Sequence, residues 1–131
     1  MILSCLYIAD SPGRGRGVYT SQDLNPNELI EESPVIVMSG TERGLLDKTL
    51  LHDYIFAWGD SEKECCVALG YLSIYNHDYQ ANAEYEMDFT NSTIKVRTVR
   101  YIRKGEEVFI NYNGNWNDMK SVWFESANLS K

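Results

Sequence analysis

Three short segments hold most of the chain's chemically suggestive side chains. In Tyr75-Asn76-His77-Asp78-Tyr79-Gln80-Ala81-Asn82, two asparagines and a histidine fall within seven residues, directly after the apolar run 69–74. Amides and an imidazole at the edge of a buried stretch can hold a polar ligand. Equally, Asn and Asp can satisfy their own backbone in a turn, and a lone histidine can be a hydrogen-bonded core residue. Ser11-Pro12-Gly13-Arg14-Gly15-Arg16-Gly17 places glycines at alternate positions, where a ligand can approach the bare backbone closely. The sequence then continues as the strand-like Val18-Tyr19-Thr20. A dinucleotide fingerprint needs a helix there, so that reading fails and a ligand-free hairpin turn is the plain alternative. Gly105-Glu106-Glu107-Val108-Phe109-Ile110-Asn111-Tyr112-Asn113-Gly114 is a turn leading into a strand that ends on a tyrosine. Alone it reads as a hairpin with an acidic corner and a core tyrosine. His52 and His77 have no third ligand at metal spacing, and no CxxC occurs, so no metal site is expected.

Elements able to position these segments are mostly strands. Runs 3–9, 17–20, 29–32, 35–38, 66–69, 83–88, 93–99 and 108–112 read as short strands divided by Gly, Pro, Asn and Asp. Leu46, Leu50, Tyr54 and Trp58 recur every fourth residue, with Leu51 and Ile55 beside them, which predicts one amphipathic helical insert over about 44–59. A second helical segment is expected around Val122, Trp123 and Phe124, with Asn117 or Asp118 as its cap. At 131 residues the chain fits one domain against a prior of about 150 residues per domain, which excludes a two-domain cofactor enzyme.

Charge narrows the partners. The net charge is −7, and residues 41–90 carry ten acids against three bases, so the middle of the chain makes the whole excess. Nucleic acid is disfavoured and a basic partner is natural. Lys95, Arg97, Arg100, Arg103 and Lys104 alternate with Ile94, Val96 and Thr98, as on the exposed side of a strand. The three cysteines, Cys5 and the adjacent Cys65 and Cys66, leave an odd thiol and suit a reducing, intracellular setting. The apolar opening 1–9 has no basic head and reads as a strand, and nothing approaches 18 apolar residues, so no membrane span is expected.

Taken together, the order and spacing of the three segments resemble the SET domain of protein-lysine methyltransferases. That family carries a GxG strand, an NHxxxPN-like segment and a GEE(L/V)xxxY segment, matched here by Gly15-x-Gly17, by Asn76-His77 with Asn82, and by Gly105-Glu106-Glu107 with Tyr112. The resemblance covers residues 5–125. His52-Asp53-Tyr54-Ile55-Phe56 followed by Ala68-Leu69-Gly70 makes the chain look most like the SET-only proteins of bacteria and large DNA viruses. Asp78 stands where the family usually has Ser, Ala81 where it has Pro, and Asn111 where Asp is frequent. The family's flanking cysteine-rich zinc segments have no counterpart.

The resemblance implies a mostly β fold, the SET β-clip of short strands and small sheets, with a helical insert and a pseudoknot-like C-terminal crossing in a single domain 1–131. It implies transfer of a methyl group from S-adenosylmethionine to a lysine in a basic protein tail, such as a histone or chromatin-like protein. Tyr112 would orient the amine, with Tyr85 and Tyr54 as further channel walls, or simply as core. Arg14, Gly15, Arg16, Gly17, Asn76, His77 and Tyr112 would contact the cofactor, and Trp123 or its rival Trp116, in the aromatic segment 113–131, would stack on adenine. A homodimer is expected, by resemblance to the viral proteins and because a short chain must complete its substrate groove. The implied location is cytoplasmic, or nuclear if the protein is delivered to a eukaryotic host. The rival reading is a catalytically weak SET module that binds S-adenosylmethionine or a basic peptide without turnover.

Overall fold

The computed structural model describes residues 1–61, 63–113, 117 and 119. In chain order the elements are β1 (Leu6–Ser11), β2 (Gly15–Thr20), β3 (Leu29–Met38), α1 (Gly40–Leu46), a 3₁₀ turn (Leu50–Tyr54), β4 (Phe56–Trp58), β5 (Glu64–Ala68), β6 (Asn76–His77), β7 (Ala83–Asp88), β8 (Thr93–Thr98) and β9 (Glu107–Ile110). They form a four-stranded sheet, β1-β2-β9-β6, and a five-stranded sheet, β4-β5-β3-β8-β7. The fold is mostly β, as the sequence indicates.

Strand β8 reads most directly from sequence, because the alternate residues Ile94, Val96 and Thr98 are buried between partly or fully exposed neighbours. The expected break between 32 and 35 is absent, since β3 runs unbroken through Pro34. Residues Leu29 to Pro34 pair with β8, and Val35 to Met38 pair with β5. Proline, which lacks an N–H, sits where the strand changes partner. Ile30, Val18, Ile94, Val96, Val108 and Ile110 fill the core between the sheets, with no exposed surface.

The single helix expected over 44–59 is not formed. Instead α1 ends at Leu46, the 3₁₀ turn follows, and Phe56–Trp58 pairs as a strand with β5. Thr49 explains the break: its hydroxyl caps the next turn by accepting the Leu51 N–H at 3.2 Å and donates to the Leu46 carbonyl at 2.7 Å. Neither helical piece buries a residue, and Leu45, Leu50 and Leu51 are exposed. The fourfold spacing therefore joined residues of three different elements, and Trp58 is buried as part of a strand.

Strand β9 places the C-terminal motif. It runs antiparallel to β2 and parallel to β6, so it lies between two segments far away in sequence. This insertion is the part of the expected C-terminal crossing that falls within the described residues. The expected helix around 122–124, and with it Trp116 and Trp123, lies outside them. Among the described residues no helix is long and apolar enough to cross a membrane, and no group of three His, Cys, Asp or Glu could hold a metal. All three cysteines are free and buried, and burial pushes the Cys66 thiol up to about 12.

Candidate active site

Glu107 ties the three motif segments together. Its Oε1 accepts the Ser11 hydroxyl at 2.6 Å, and its Oε2 accepts Asn76 Nδ2 at 2.8 Å. The same Asn76 amide donates to the Arg16 carbonyl at 2.9 Å. Asn82 donates to the Glu107 carbonyl at 2.9 Å and accepts the Phe109 N–H at 2.8 Å, filling the place of a neighbouring strand with a side chain. Gly17 is required by this packing, because a methyl group there would lie 2.3 Å from Glu107 Oε2 and 2.9 Å from Asn76 Nδ2. The motif asparagines thus serve first as framework, each reaching a different atom of Glu107.

His77 continues the framework into the site. Its Nδ1 accepts the Tyr112 backbone N–H at 3.0 Å, which leaves the neutral ring's proton on Nε2. Its ring lies 5.1 Å from that of Tyr112 and 4.4 Å, edge on, from that of Tyr79. Arg14 donates to the His77 carbonyl at 3.2 Å and stands over the Phe109 ring at 4.9 Å. A methyl group added at Gly15 would meet nothing within 4 Å, so the backbone there is open.

Tyr54, Tyr85 and Tyr112 arrive from the 3₁₀ turn, from β7 and from the turn that follows β9, and all three line one cleft of about 630 Å³. Phe56 packs its ring against Tyr85 at 5.4 Å, and Met87 adds a further apolar wall. The Tyr112 hydroxyl donates to the Tyr75 carbonyl at 2.8 Å, and the Tyr85 hydroxyl donates to the Tyr112 carbonyl at 3.1 Å. Burial pushes the Tyr112 phenol up from 10.0, with the neighbouring Tyr54 adding to the effect and Arg14 opposing it. The phenol therefore stays protonated at physiological pH and cannot act as the base. Asp47, His52 and Asp53 sit at the same cleft, with His52 Nδ1 3.0 Å from Asp47 Oδ1.

Departures from the expected motif are accommodated. Asp78 accepts the Gln80 N–H at 2.8 Å, a local turn bond that a serine could also make. Asn111 is fully buried and accepts the Asn113 N–H at 2.9 Å. Sequence reasoning passed over Glu107 as an individual residue, and also Ser11 and Phe56. The signal for Glu107 was its place in the Gly105-Glu106-Glu107 turn; Ser11 carried none, because its partner is 96 residues away.

Comparison with known proteins follows the same lines. A family model described as the SET domain matches residues 15–113. The H3 lysine-37-specific histone-lysine N-methyltransferase of Schizosaccharomyces pombe (strain 972 / ATCC 24843) is 32% identical over 126 residues, covering 95% of this chain and 80% of that one. A solved Plasmodium falciparum structure superposes with a TM-score of 0.64 at 27% identity, covering 89% of this chain and 100% of that one. The ctPRC2 complex, in an autoinhibited conformation bound to S-adenosylmethionine, matches in fold, with a TM-score of 0.71 at 19% identity over 87% of this chain and 16% of that one.

Proposed function

The chain belongs to the SET-domain family and is a protein-lysine N-methyltransferase that takes S-adenosylmethionine as its cofactor, and from that premise we propose that its substrate lysine lies in a basic protein tail and enters the cleft between Tyr54, Tyr85 and Tyr112. The observation that carries this reading is the convergence of three tyrosines from three separate elements on one cleft. The residues present fit the cofactor. Open backbone at Gly15, with Gly17 beyond it, suits its methionine part, and the Arg14 guanidinium suits a carboxylate. The His77 and Tyr79 rings offer an aromatic edge. Both hydrogens of the Asn76 amide are held by Arg16 and Glu107, so its contribution to a ligand falls to its carbonyl and backbone. When bound, the cofactor supplies an electrophilic methyl group.

What the chain itself must solve is the lysine's charge. A free lysine has a pKa of about 10.4, and its ammonium has no lone pair to attack with. A cleft walled by Tyr54, Phe56, Tyr85 and Met87 strips water from the ammonium and so favours the neutral amine, its proton leaving through solvent. With its hydrogen held by the Tyr75 carbonyl, the Tyr112 hydroxyl meets the amine through its oxygen and fixes the direction of the nitrogen lone pair. Alignment of this kind supplies several kcal/mol when the reacting atoms are held near 3 Å.

Finer features belong to the same proposal. The segment 52–56 followed by 68–70 supports the SET-only form found in bacteria and large DNA viruses. A histone or chromatin-like tail matches the acidic middle of the chain, and buried free thiols suit an intracellular compartment. A homodimer would cover Leu45, Leu50 and Leu51, the exposed apolar side chains of the insert.

Replacing Tyr112 by Phe tests the reading. It deletes one hydroxyl and little volume, so turnover on a lysine peptide should fall by about 10² to 10³, the usual effect of removing one positioned hydrogen-bonding group. Cofactor binding, followed by calorimetry, should persist. A rate equal to that of the unmodified protein removes Tyr112 from the reaction.

A further inference from the structure

Glu31 is fully buried, yet none of the chemistry above uses it. Its Oε1 accepts the Tyr75 hydroxyl at 2.8 Å. Its Oε2 accepts the Ser33 hydroxyl at 2.6 Å and the Tyr71 backbone N–H at 2.9 Å. Gly70 is pressed onto the same group: its φ is +81°, and a methyl group there would stand 2.4 Å from Ser33 Oγ and 2.5 Å from Glu31 Oε2. Burial raises the Glu31 pKa, and the three donors oppose that rise. A buried acid met by three donors is a built anchor, because leaving such a group unmatched is strongly destabilising.

The anchor leads to the reaction through a single residue. Tyr75 is fully buried, its phenol is held by Glu31, and its own carbonyl receives the Tyr112 hydroxyl at 2.8 Å. The next residue is Asn76, where β6 begins. We infer that Glu31 is a positioning residue for methyl transfer: by holding Tyr71 and the Tyr75 phenol it fixes the Tyr75 carbonyl, and that carbonyl orients the Tyr112 hydroxyl. The inference rests on the proposed function and deepens it. A Glu31 that served stability alone would weaken the fold when changed and leave turnover per folded molecule as it was.

Two variants separate these cases. Glu31→Gln keeps the volume but turns an amide N–H₂ toward at least one of the three donors. Tyr75→Phe removes the phenol's tie and leaves the carbonyl in the chain. Ile102→Val, in the core and outside the cleft, is the control for lost stability. In both test variants kcat on a lysine peptide should fall by about ten- to a hundredfold, as expected for a misplaced orienting group, with peptide KM and the S-adenosylmethionine dissociation constant unchanged. The control should keep its kcat. With tyrosine labelled at Cζ, the carbon-13 signal of Tyr112 should shift in both test variants and stay put in the control. An unchanged kcat in both, a loss confined to KM, or a loss matched by the control overturns the inference. If the unmodified protein transfers no methyl group while the Tyr112 signal still shifts in the variants, the functional reading fails and the link from Glu31 to Tyr112 stands.

Discussion

Tyr85 and Tyr112 each give their hydroxyl hydrogen to a backbone carbonyl, but Tyr85 gives it to Tyr112 itself. With the lysine seated in the cleft as proposed, the Tyr85 oxygen would take up volume beside the amine. Tyr85→Phe removes that oxygen, frees the space a second methyl group requires, and loses one hydrogen bond worth about 1 kcal/mol. Dimethyl-lysine should accumulate over many turnovers of a lysine peptide, as read by mass spectrometry, with monomethyl-lysine the main product of the unmodified protein. Trimethyl-lysine from the unmodified protein, or the same mixture from both, would show that Tyr85 does not gate the cleft. The candidate tyrosines could be named only through the resemblance to the SET family. Which carbonyl each one addresses could not, because Tyr75 and Tyr112 are 37 residues apart and are joined only by the folded backbone.

Among the elements, glycines at two sites should respond in opposite ways. In β2, Gly17→Ala pushes a methyl group into Glu107 and Asn76, so either the strand moves or the carboxylate leaves Ser11 and Asn76. A loss of about 1–3 kcal/mol is expected from overpacking, together with the loss of cofactor binding. In α1, Gly44→Ala meets nothing within 4 Å and gains helix propensity of up to about 1 kcal/mol. Scanning calorimetry on the two variants should move the melting temperature down and up respectively; equal shifts would contradict the packing described around Gly17. Legibility follows the same division. Strand β8 was readable because burial alternates along it, whereas β4 and β6, with three and two residues, are too short to show any period. The insert misled because α1, the 3₁₀ turn and β4 each contributed residues to one apparent helical stripe.

For the whole molecule, the acidic excess should act on encounter rather than on chemistry. With a net charge of −7 concentrated in residues 41–90, attraction of a basic tail should weaken as salt shortens the screening length from about 10 Å at 0.1 M toward about 3 Å at 1 M. Peptide KM should climb across that range while kcat holds steady, and a salt-independent KM would remove the acidic surface from substrate capture. Strand β9 carries a different consequence. Its Glu107 closes a bond to Ser11 across 96 residues, and the strand itself fills the gap between β2 and β6. During synthesis, at about 5–20 residues per second, everything from β1 to β8 is made before the piece that joins Ser11, Asn76 and Asn82. A nascent chain is therefore chemically silent until β9 docks, and competence arrives with that one event rather than growing with length.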